Sequence, residues 1–162
     1  MKRAESLRES FGYAFQGLWY AFNTQRNLRL HFLAASCILV LGWFLALPTR
    51  SFISVLTAVM VVMVAEMLNT AVESVVDLAS PEFHELARIA KDVAAGAVLL
   101  AALGAAALGA WVFAHPLLEL PHQVMLRFTH QPVVATLLLV MVGAMLGLVL
   151  WVPGHYHKSR GK

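Results

Sequence analysis

The sequence predicts an all-α, polytopic membrane protein, with an N-terminal amphipathic interfacial helix followed by four transmembrane helices. The first observation is composition, because 60% of the 162 residues are hydrophobic and only 13% are charged, against roughly half and a quarter in soluble domains. The second is the presence of four mainly apolar stretches of about 20 residues, the length that a helix needs to cross a bilayer. The third is an uneven distribution of Lys and Arg between these stretches. We expect a bilayer as the environment and no nucleic acid as a partner.

The first element is a predicted helix over residues 6–25 that lies in the membrane interface. Ser6 and Glu9 have the spacing of a capping box, in which the serine caps the helix and the glutamate reaches back. Apolar residues then recur at helical spacing on one face, namely Leu7, Phe11, Ala14, Phe15, Leu18 and Phe22. This pattern is typical of an interfacial helix, although a helix packed on the other helices remains an alternative.

The four predicted spans come next in the chain. They cover residues 30–47, 52–77, 93–113 and 133–152. Pro48 and Arg50 make a tight break between the first two spans, and prolines punctuate the segment 116–132 between the last two. We therefore divide the chain into a core over residues 1–115, an extracytoplasmic loop over 116–132, and an extra transmembrane helix with a basic cytoplasmic tail over 133–162.

The distribution of basic residues predicts the orientation of these spans. Ten of the 12 Lys and Arg residues fall at the two termini, before the first span and in the segment 78–92, and the other two are Arg50 and Arg127. Because cytoplasmic loops carry the excess of positive charge, both termini and the segment 78–92 are predicted to be cytoplasmic. The predicted location is a bacterial cell (inner) membrane, crossed several times.

Four polar residues in the second span form one stripe. Glu66, Asn69, Glu73 and Asp77 point in directions of about 0°, −60°, −20° and +20° around a helix, so they share a face about 16 Å long. Ionisable groups within a span are costly and tend to line functional cavities. An interhelical network of hydrogen bonds is the structural alternative.

The chemistry of this stripe favours a bound cation. Three carboxylates on one face repel one another unless a positive charge lies among them, and Mg²⁺ prefers one or two carboxylates together with substrate phosphates. Glu73, nearer the water, suits a metal ligand, and Glu66, about two turns deeper, suits a general base.

A second helix is predicted to bring basic residues to the acidic stripe. Ser80 and Pro81 have the pattern of an N-cap followed by a proline at the first helical position. His84, Arg88 and Lys91 then share a face of this helix. Lysine at a membrane boundary often only extends its amine to water, but opposite three acids we expect Lys91 to bind phosphate.

At these residues the sequence resembles the small prokaryotic diacylglycerol kinase and undecaprenol kinase family. The resemblance covers about residues 5–115 and rests on four segments: Gly12-Tyr13-Ala-Phe-Gln-Gly17, Arg26-Asn27-Leu-Arg29-Leu-His31, Glu66-Met-Leu-Asn69-Thr-Ala-Val-Glu73-Ser-Val-Val-Asp77, and Glu82-Phe-His84 continuing to Lys91-Asp92. It implies an integral-membrane homotrimer with active sites shared between subunits. It further implies transfer of the γ-phosphate of ATP, with Mg²⁺, to the hydroxyl of a membrane lipid alcohol.

The resemblance also implies roles for individual residues. Glu66 corresponds to the general base, with Asn69 as a supporting catalytic residue, and Glu73 to a ligand of metal and ATP. The candidates for contact with the nucleotide are Glu73, Lys91, Asp92, Glu82, His84, Tyr13 and Gln25, and those near the lipid substrate are Arg29 and Asp77.

The sequence departs from the family at two places. The family usually has a metal-binding glutamate where this chain has Gln25, whose amide oxygen can coordinate metal without supplying charge. The fourth span is absent from the basic family plan, and its Gly143 and Gly147 permit close helix approach.

Three functions remain open on the sequence. The Arg-Asn-x-Arg-x-His segment that begins at Arg26 is more like the undecaprenol kinase branch, which makes undecaprenol the predicted lipid and diacylglycerol the alternative. A small cation transporter or channel is the alternative from another class, although the acids occupy only one half of a single span. An inactive scaffold descended from the kinase is the third.

Overall fold

The computed structural model describes residues 6–80, 82 and 84–130, together with residues 132–133, 136, 140, 142–144 and 146–147. Within these residues the chain contains helices and no strand, which confirms the predicted all-α class. The helices are α1 (Leu7–Thr24), α2 (Arg26–Phe44), α3 (Thr49–Ala79), α4 (Glu85–Leu118) and α5 (Leu120–His130). The predicted fourth span over 133–152 falls largely outside the described residues and stays a prediction.

Helix α1 begins as the capping pattern predicts. The Ser6 side chain accepts a hydrogen bond from the Glu9 backbone N–H at 3.2 Å, which satisfies one of the free donors of the first turn. The helix ends where Gln25 takes an extended conformation, with φ of −100° and ψ of 112°. The first part of its apolar face does not pack on the other described helices, because Phe11 is 75% exposed and Phe15 69% exposed. Only its end does so, where the Phe22 ring contacts Phe32 of α2 edge-on, with ring centroids 5.6 Å apart. The exposure of Phe11 and Phe15 favours the interfacial alternative over the packed one.

Helices α2, α3 and α4 are the three described helices that are long and apolar enough to cross a membrane. They contain 19, 31 and 34 residues, which correspond to about 28, 46 and 51 Å. The hydrocarbon core of a bilayer is only about 30 Å thick. The polar ends of α3 and α4 therefore extend beyond it, and each helix is longer than the apolar stretch that the sequence marks as a span.

The predicted start of α4 at Ser80 is wrong. The hydrogen bonding of α3 continues through Ala79, and the Ser80 N–H donates to the Val76 carbonyl, so Ser80 ends α3 instead of starting α4. His84 is the N-cap of α4, where its Nδ1 accepts from the Leu86 N–H at 3.2 Å. A histidine nitrogen thus takes the capping role that the sequence assigned to a hydroxyl.

The segment between the third and fourth predicted spans is more helical than expected. Helix α4 continues through Pro116 to Leu118, and α5 occupies Leu120–His130 within the predicted loop 116–132. Proline interrupts a helix mainly by removing one N–H. Near the end of α4 this loss is small, and Glu119 N–H donates to the Pro116 carbonyl at 3.2 Å.

The helices pack in chain order, with α3 along α4 and α2 on α3. At one end of this bundle, Leu45, Val55 and Phe113 form a buried apolar cluster. Gly42 permits the close approach there, because a Cβ at this position would lie 3.1 Å from Leu47 Cδ1. The opposite end of the bundle buries polar residues, which form the candidate site.

Candidate active site

Glu66 is on α3 and faces α2, and it is only 2% exposed. Its Oε1 is 3.1 Å from Nε2 of His31, which is on α2. The Glu66 backbone carbonyl accepts from the Thr70 hydroxyl at 2.9 Å. The sequence alone did not indicate a role for His31, although the residue ends one of the segments that carry the family resemblance. An acid at this depth is held by a specific partner on the neighbouring helix.

Asn69 and Glu73 form a second polar pair on the same face of α3. Asn69 Nδ2 donates to Glu73 Oε1 at 2.8 Å. Asn69 is buried, and its Oδ1 has no hydrogen-bond partner among the described residues. A buried acceptor without a donor costs free energy. An unpaired amide oxygen beside a carboxylate is therefore a place where a cation or a substrate donor would be stabilised.

The Glu73 carboxylate and the Asn69 Oδ1 atom fit a magnesium ion, because both provide hard oxygen ligands of the type that Mg²⁺ prefers. No group of three His, Cys, Asp or Glu side chains gathers at metal-binding distance in the part of the chain that the structure describes. A magnesium ion here would take its remaining ligands from phosphate oxygens and water, as it usually does. Gln25 lies at the junction of α1 and α2 and makes no side-chain capping hydrogen bond to α2. Its metal-binding role stays a prediction.

A polar cleft of about 310 Å³ lies where the end of α3 meets the start of α4. It brings together four of the residues predicted to contact substrates, namely Asp77, Glu82, His84 and Lys91. Lys91 Nζ forms an ion pair with Asp77 Oδ1 across the cleft. Asp77 is the last residue of the acidic stripe on α3. The predicted contact between this stripe and the basic face of α4 therefore occurs at Asp77.

Arg88 lines the same cleft but pairs with carboxylates of its own helix. Its Nη2 is 2.5 Å from Glu85 Oε1, and its Nη1 is 2.7 Å from Asp92 Oδ2. Lys91 and Asp92, which the family resemblance joins as nucleotide contacts, are therefore engaged with different partners in the described chain. Two carboxylates compensate Arg88, whereas Lys91 has the exposed Asp77 as its ion-pair partner.

Arg29 contacts the end of α1, and Tyr13 lies on the same helix. Arg29 is 6% exposed, and its Nη1 donates to the carbonyls of Phe22 and Asn23 at 3.2 and 3.0 Å. A cation at these carbonyls stabilises the C-terminal end of α1, so Arg29 fixes the turn between α1 and α2. Tyr13 is half exposed on α1. The roles predicted for both residues beside substrates are untested.

An apolar cavity of about 450 Å³ lies between α2, α3 and α4. His31, Met63 and Ala102 line one end, and Leu41 and Leu117 line the other. Along α2 this is a length of about 15 Å. Small residues on α4, such as Ala105, Ala106 and Gly109, leave the space open. The cavity begins at the residue that contacts Glu66.

These features define a polytopic membrane protein with a polar site at one end of its helix bundle. Residues 12–113 match the family described as prokaryotic diacylglycerol kinase, and the chain belongs to this family. It is 46% identical over 118 residues to a diacylglycerol kinase of Synechocystis sp., covering 72% of this chain and 67% of that protein. It is 35% identical over 105 residues to an undecaprenol kinase of Bacillus subtilis, covering 65% and 85%.

A diacylglycerol kinase of Escherichia coli K12 is 36% identical over 90 residues, covering 56% of this chain and 74% of that protein. The family and these relatives establish a lipid kinase, which confirms the predicted enzyme class over the transporter alternative. ATP is the co-substrate that a kinase of this family implies. Together with the three apolar helices, the family makes this chain a bacterial membrane protein.

Proposed function

We propose that this chain phosphorylates the hydroxyl of undecaprenol, using ATP and Mg²⁺, with Glu66 as the general base. The observation that carries the proposal is the buried Glu66, held by His31 at the end of an apolar cavity. A lipid hydroxyl cannot leave the membrane, so the group that deprotonates it must lie at the membrane's edge and not in a soluble cleft. Glu66 meets this requirement, because it is on an apolar helix and close to a space that a hydrocarbon chain can occupy.

In the proposed reaction Glu66 accepts the proton of the lipid hydroxyl. The lipid oxygen forms a bond to the γ-phosphorus of ATP, and the bond from this phosphorus to the bridging oxygen breaks, so that ADP leaves. Phosphoryl transfer depends mainly on positioning and on neutralisation of charge. A small number of polar residues on two helices is therefore sufficient for catalysis.

The oxygens of Glu73 and Asn69 would hold Mg²⁺ about one to two turns from Glu66 along α3. When bound, this ion neutralises the charge that develops on the transferred phosphoryl group. Lys91 would bind a phosphate of the nucleotide after its ion pair with Asp77 opens. This exchange is inexpensive, because exposed ion pairs contribute only about 0–1 kcal/mol.

The cleft at Lys91 would face the cytoplasm, where ATP is found, as the distribution of Lys and Arg predicts. We further propose a homotrimer whose subunits share active sites, as the family resemblance implies. The exposure of Tyr13 and of the Asp92 side chain supports a shared site, because both are open to a neighbouring subunit.

Two lipids are candidates for the substrate. Undecaprenol is favoured by the Arg-Asn-x-Arg-x-His segment, since its last residue, His31, contacts the proposed base. Diacylglycerol is the second candidate, favoured by the 46% identity to a protein named diacylglycerol kinase. The local segment carries more weight here because it contributes directly to the site, whereas the overall identity includes lipid-facing positions.

The test uses the purified full-length protein in membranes that contain undecaprenol, diacylglycerol or neither lipid. Labelled ATP and Mg²⁺ are added, and the lipids are separated and counted. We expect label in undecaprenyl phosphate. Label in phosphatidic acid instead would establish the second candidate, and label in neither lipid would refute lipid phosphorylation by this chain.

A further inference from the structure

The contact between His31 and Glu66 joins two membrane helices at the proposed base. The two side chains are 29% and 3% exposed, and their polar atoms are 3.1 Å apart. We propose that His31 is a positioning residue that fixes the orientation of the Glu66 carboxylate toward the lipid hydroxyl. This inference rests on the proposed function, because it assigns His31 a part in the same phosphoryl transfer.

The geometry divides the work between the two oxygens of Glu66. Nε2 of His31 lies 3.1 Å from Oε1, which leaves Oε2 as the oxygen that would take the hydroxyl proton. A carboxylate held by one oxygen has a fixed plane, and a fixed plane directs the other oxygen. Catalysis by positioned groups is sensitive to displacements of about 1 Å.

The local structure of α2 explains why His31 points toward α3. Leu28, one turn earlier on the same helix, is 2% exposed and anchors the face of α2 that turns inward. Arg29 ties the first turn of α2 to the end of α1 through the Phe22 and Asn23 carbonyls. Leu28 and Arg29 together therefore fix the rotation of α2 about its axis. This rotation directs His31 toward α3.

The cavity connects this contact to the substrate. His31 lines the apolar cavity, which Met63 on α3 and Ala102 on α4 also line. A lipid alcohol with its chain in this cavity would present its hydroxyl beside the imidazole. His31 thus lies between the apolar part of the site and Glu66, where it would orient the Glu66 carboxylate.

The experiment compares the wild type with His31→Leu and His31→Gln in the lipid phosphorylation assay. Leucine fills a similar volume without a donor, whereas glutamine keeps a neutral N–H that can reach the carboxylate. We expect His31→Leu to lower kcat about 10–100-fold, with KM for ATP and for the lipid within about twofold of the wild type. His31→Gln should recover at least about a third of the wild-type kcat, because it restores the hydrogen bond.

Infrared difference spectroscopy adds a measurement that does not need turnover. The Glu66 carboxylate band is identified as the one that Glu66→Gln removes. We expect it to shift in His31→Leu and to return in His31→Gln. His115→Leu, the same substitution in the last turn of α4, is the control and should leave both kcat and the band unchanged.

Active wild type with an equally active His31→Leu would overturn the inference and leave the proposed function standing. Equal losses in the leucine and glutamine variants, or a loss confined to KM for the lipid, would also overturn it, because they would indicate packing or lipid binding. A wild type that phosphorylates neither lipid would overturn both. Size-exclusion profiles and thermal stability of each variant separate these results from misfolding.

Discussion

The two ends of the bundle formed by α2, α3 and α4 bury opposite kinds of residue. One end contains the apolar cluster of Leu45, Val55 and Phe113, whereas the other buries Glu66 and Asn69. Apolar packing in a bundle contributes stability directly. Buried acids and amides cost free energy in a membrane and are retained mainly where they act on a substrate or ion. One end therefore holds the helices together, and the other is the end that we propose performs the chemistry.

Both ends are carried by the same helix. Val55 and Glu66 are 11 positions apart on α3, a distance of about 16 Å. At this separation substitutions with no shared partner have nearly additive effects. Because the polar end contributes little apolar packing, changes there should alter catalysis with little loss of stability, and changes at the apolar end should mainly lower stability.

The largest effect on activity is expected for Glu66→Gln. The amide keeps the shape of the side chain but cannot accept a proton, and general bases typically contribute about 10²–10⁴-fold. We expect kcat to fall by at least about 10²-fold, while the size-exclusion profile and thermal stability stay close to those of the wild type. Normal turnover by this variant would exclude Glu66 as the base and remove the main argument for the polar end.

The next effect concerns metal binding by Glu73. Glu73→Gln removes the charge beside the unpaired Asn69 oxygen. We expect the Mg²⁺ concentration for half-maximal activity to rise on the order of 10–100-fold, the range seen when groups that support a metal site are lost. Titration of activity with Mg²⁺ gives the value directly.

The opposite change in Mg²⁺ requirement is expected at Gln25, where the family resemblance implies a glutamate. Gln25→Glu adds the missing charge, so the Mg²⁺ requirement should fall below that of the wild type. If Glu73→Gln leaves the requirement unchanged, Glu73 is not a metal ligand, and if Gln25→Glu raises it, Gln25 does not face the ion.

A smaller effect is expected at the cleft between α3 and α4. Lys91→Met removes the cation that we assign to a nucleotide phosphate, and KM for ATP should rise about tenfold. Asp77→Asn releases Lys91 from its ion pair and should lower KM for ATP by up to about twofold. Steady-state kinetics against ATP measures both. Opposite signs would identify Asp77 as a competitor for Lys91, whereas equal increases would make Asp77 part of the binding site.

The sequence predicts the polar stripe on α3 because a helix places positions i, i+3, i+7 and i+11 on one face. It does not predict the partner of Glu66. Helix α2 is apolar around most of its surface, so periodicity does not fix which side turns toward α3. The rotation of α2 depends instead on Leu28 and Arg29, and their contacts with other elements are visible only in three dimensions.

At two places, local sequence patterns also fail to predict where the helices begin and end. Ser80 followed by Pro81 has the pattern of a helix start, yet α3 continues to Ala79 and His84 caps α4. Because α3 continues this far, the Ser80 N–H already bonds to the Val76 carbonyl of α3, although the local pattern assigns Ser80 to the start of α4. The segment 116–132 contains prolines at positions where α4 ends and α5 begins, so they punctuate helices instead of excluding them.

The smallest effect on activity is expected from a change at the apolar end. Leu45→Ala deletes a buried side chain from the cluster with Val55 and Phe113 and should lower the free energy of unfolding by about 2–4 kcal/mol. Leu118→Ala, at an 81% exposed position, is the control and should change it by less than about 0.5 kcal/mol. Thermal unfolding measures both variants, and kcat at saturating lipid below the transition should equal that of the wild type. Because Val55 and Phe113 also line the apolar cavity, any effect on lipid binding should appear in KM for the lipid. A fall in kcat for Leu45→Ala without a fall in stability would mean that the apolar end also sets the geometry of Glu66, because the two ends share α3.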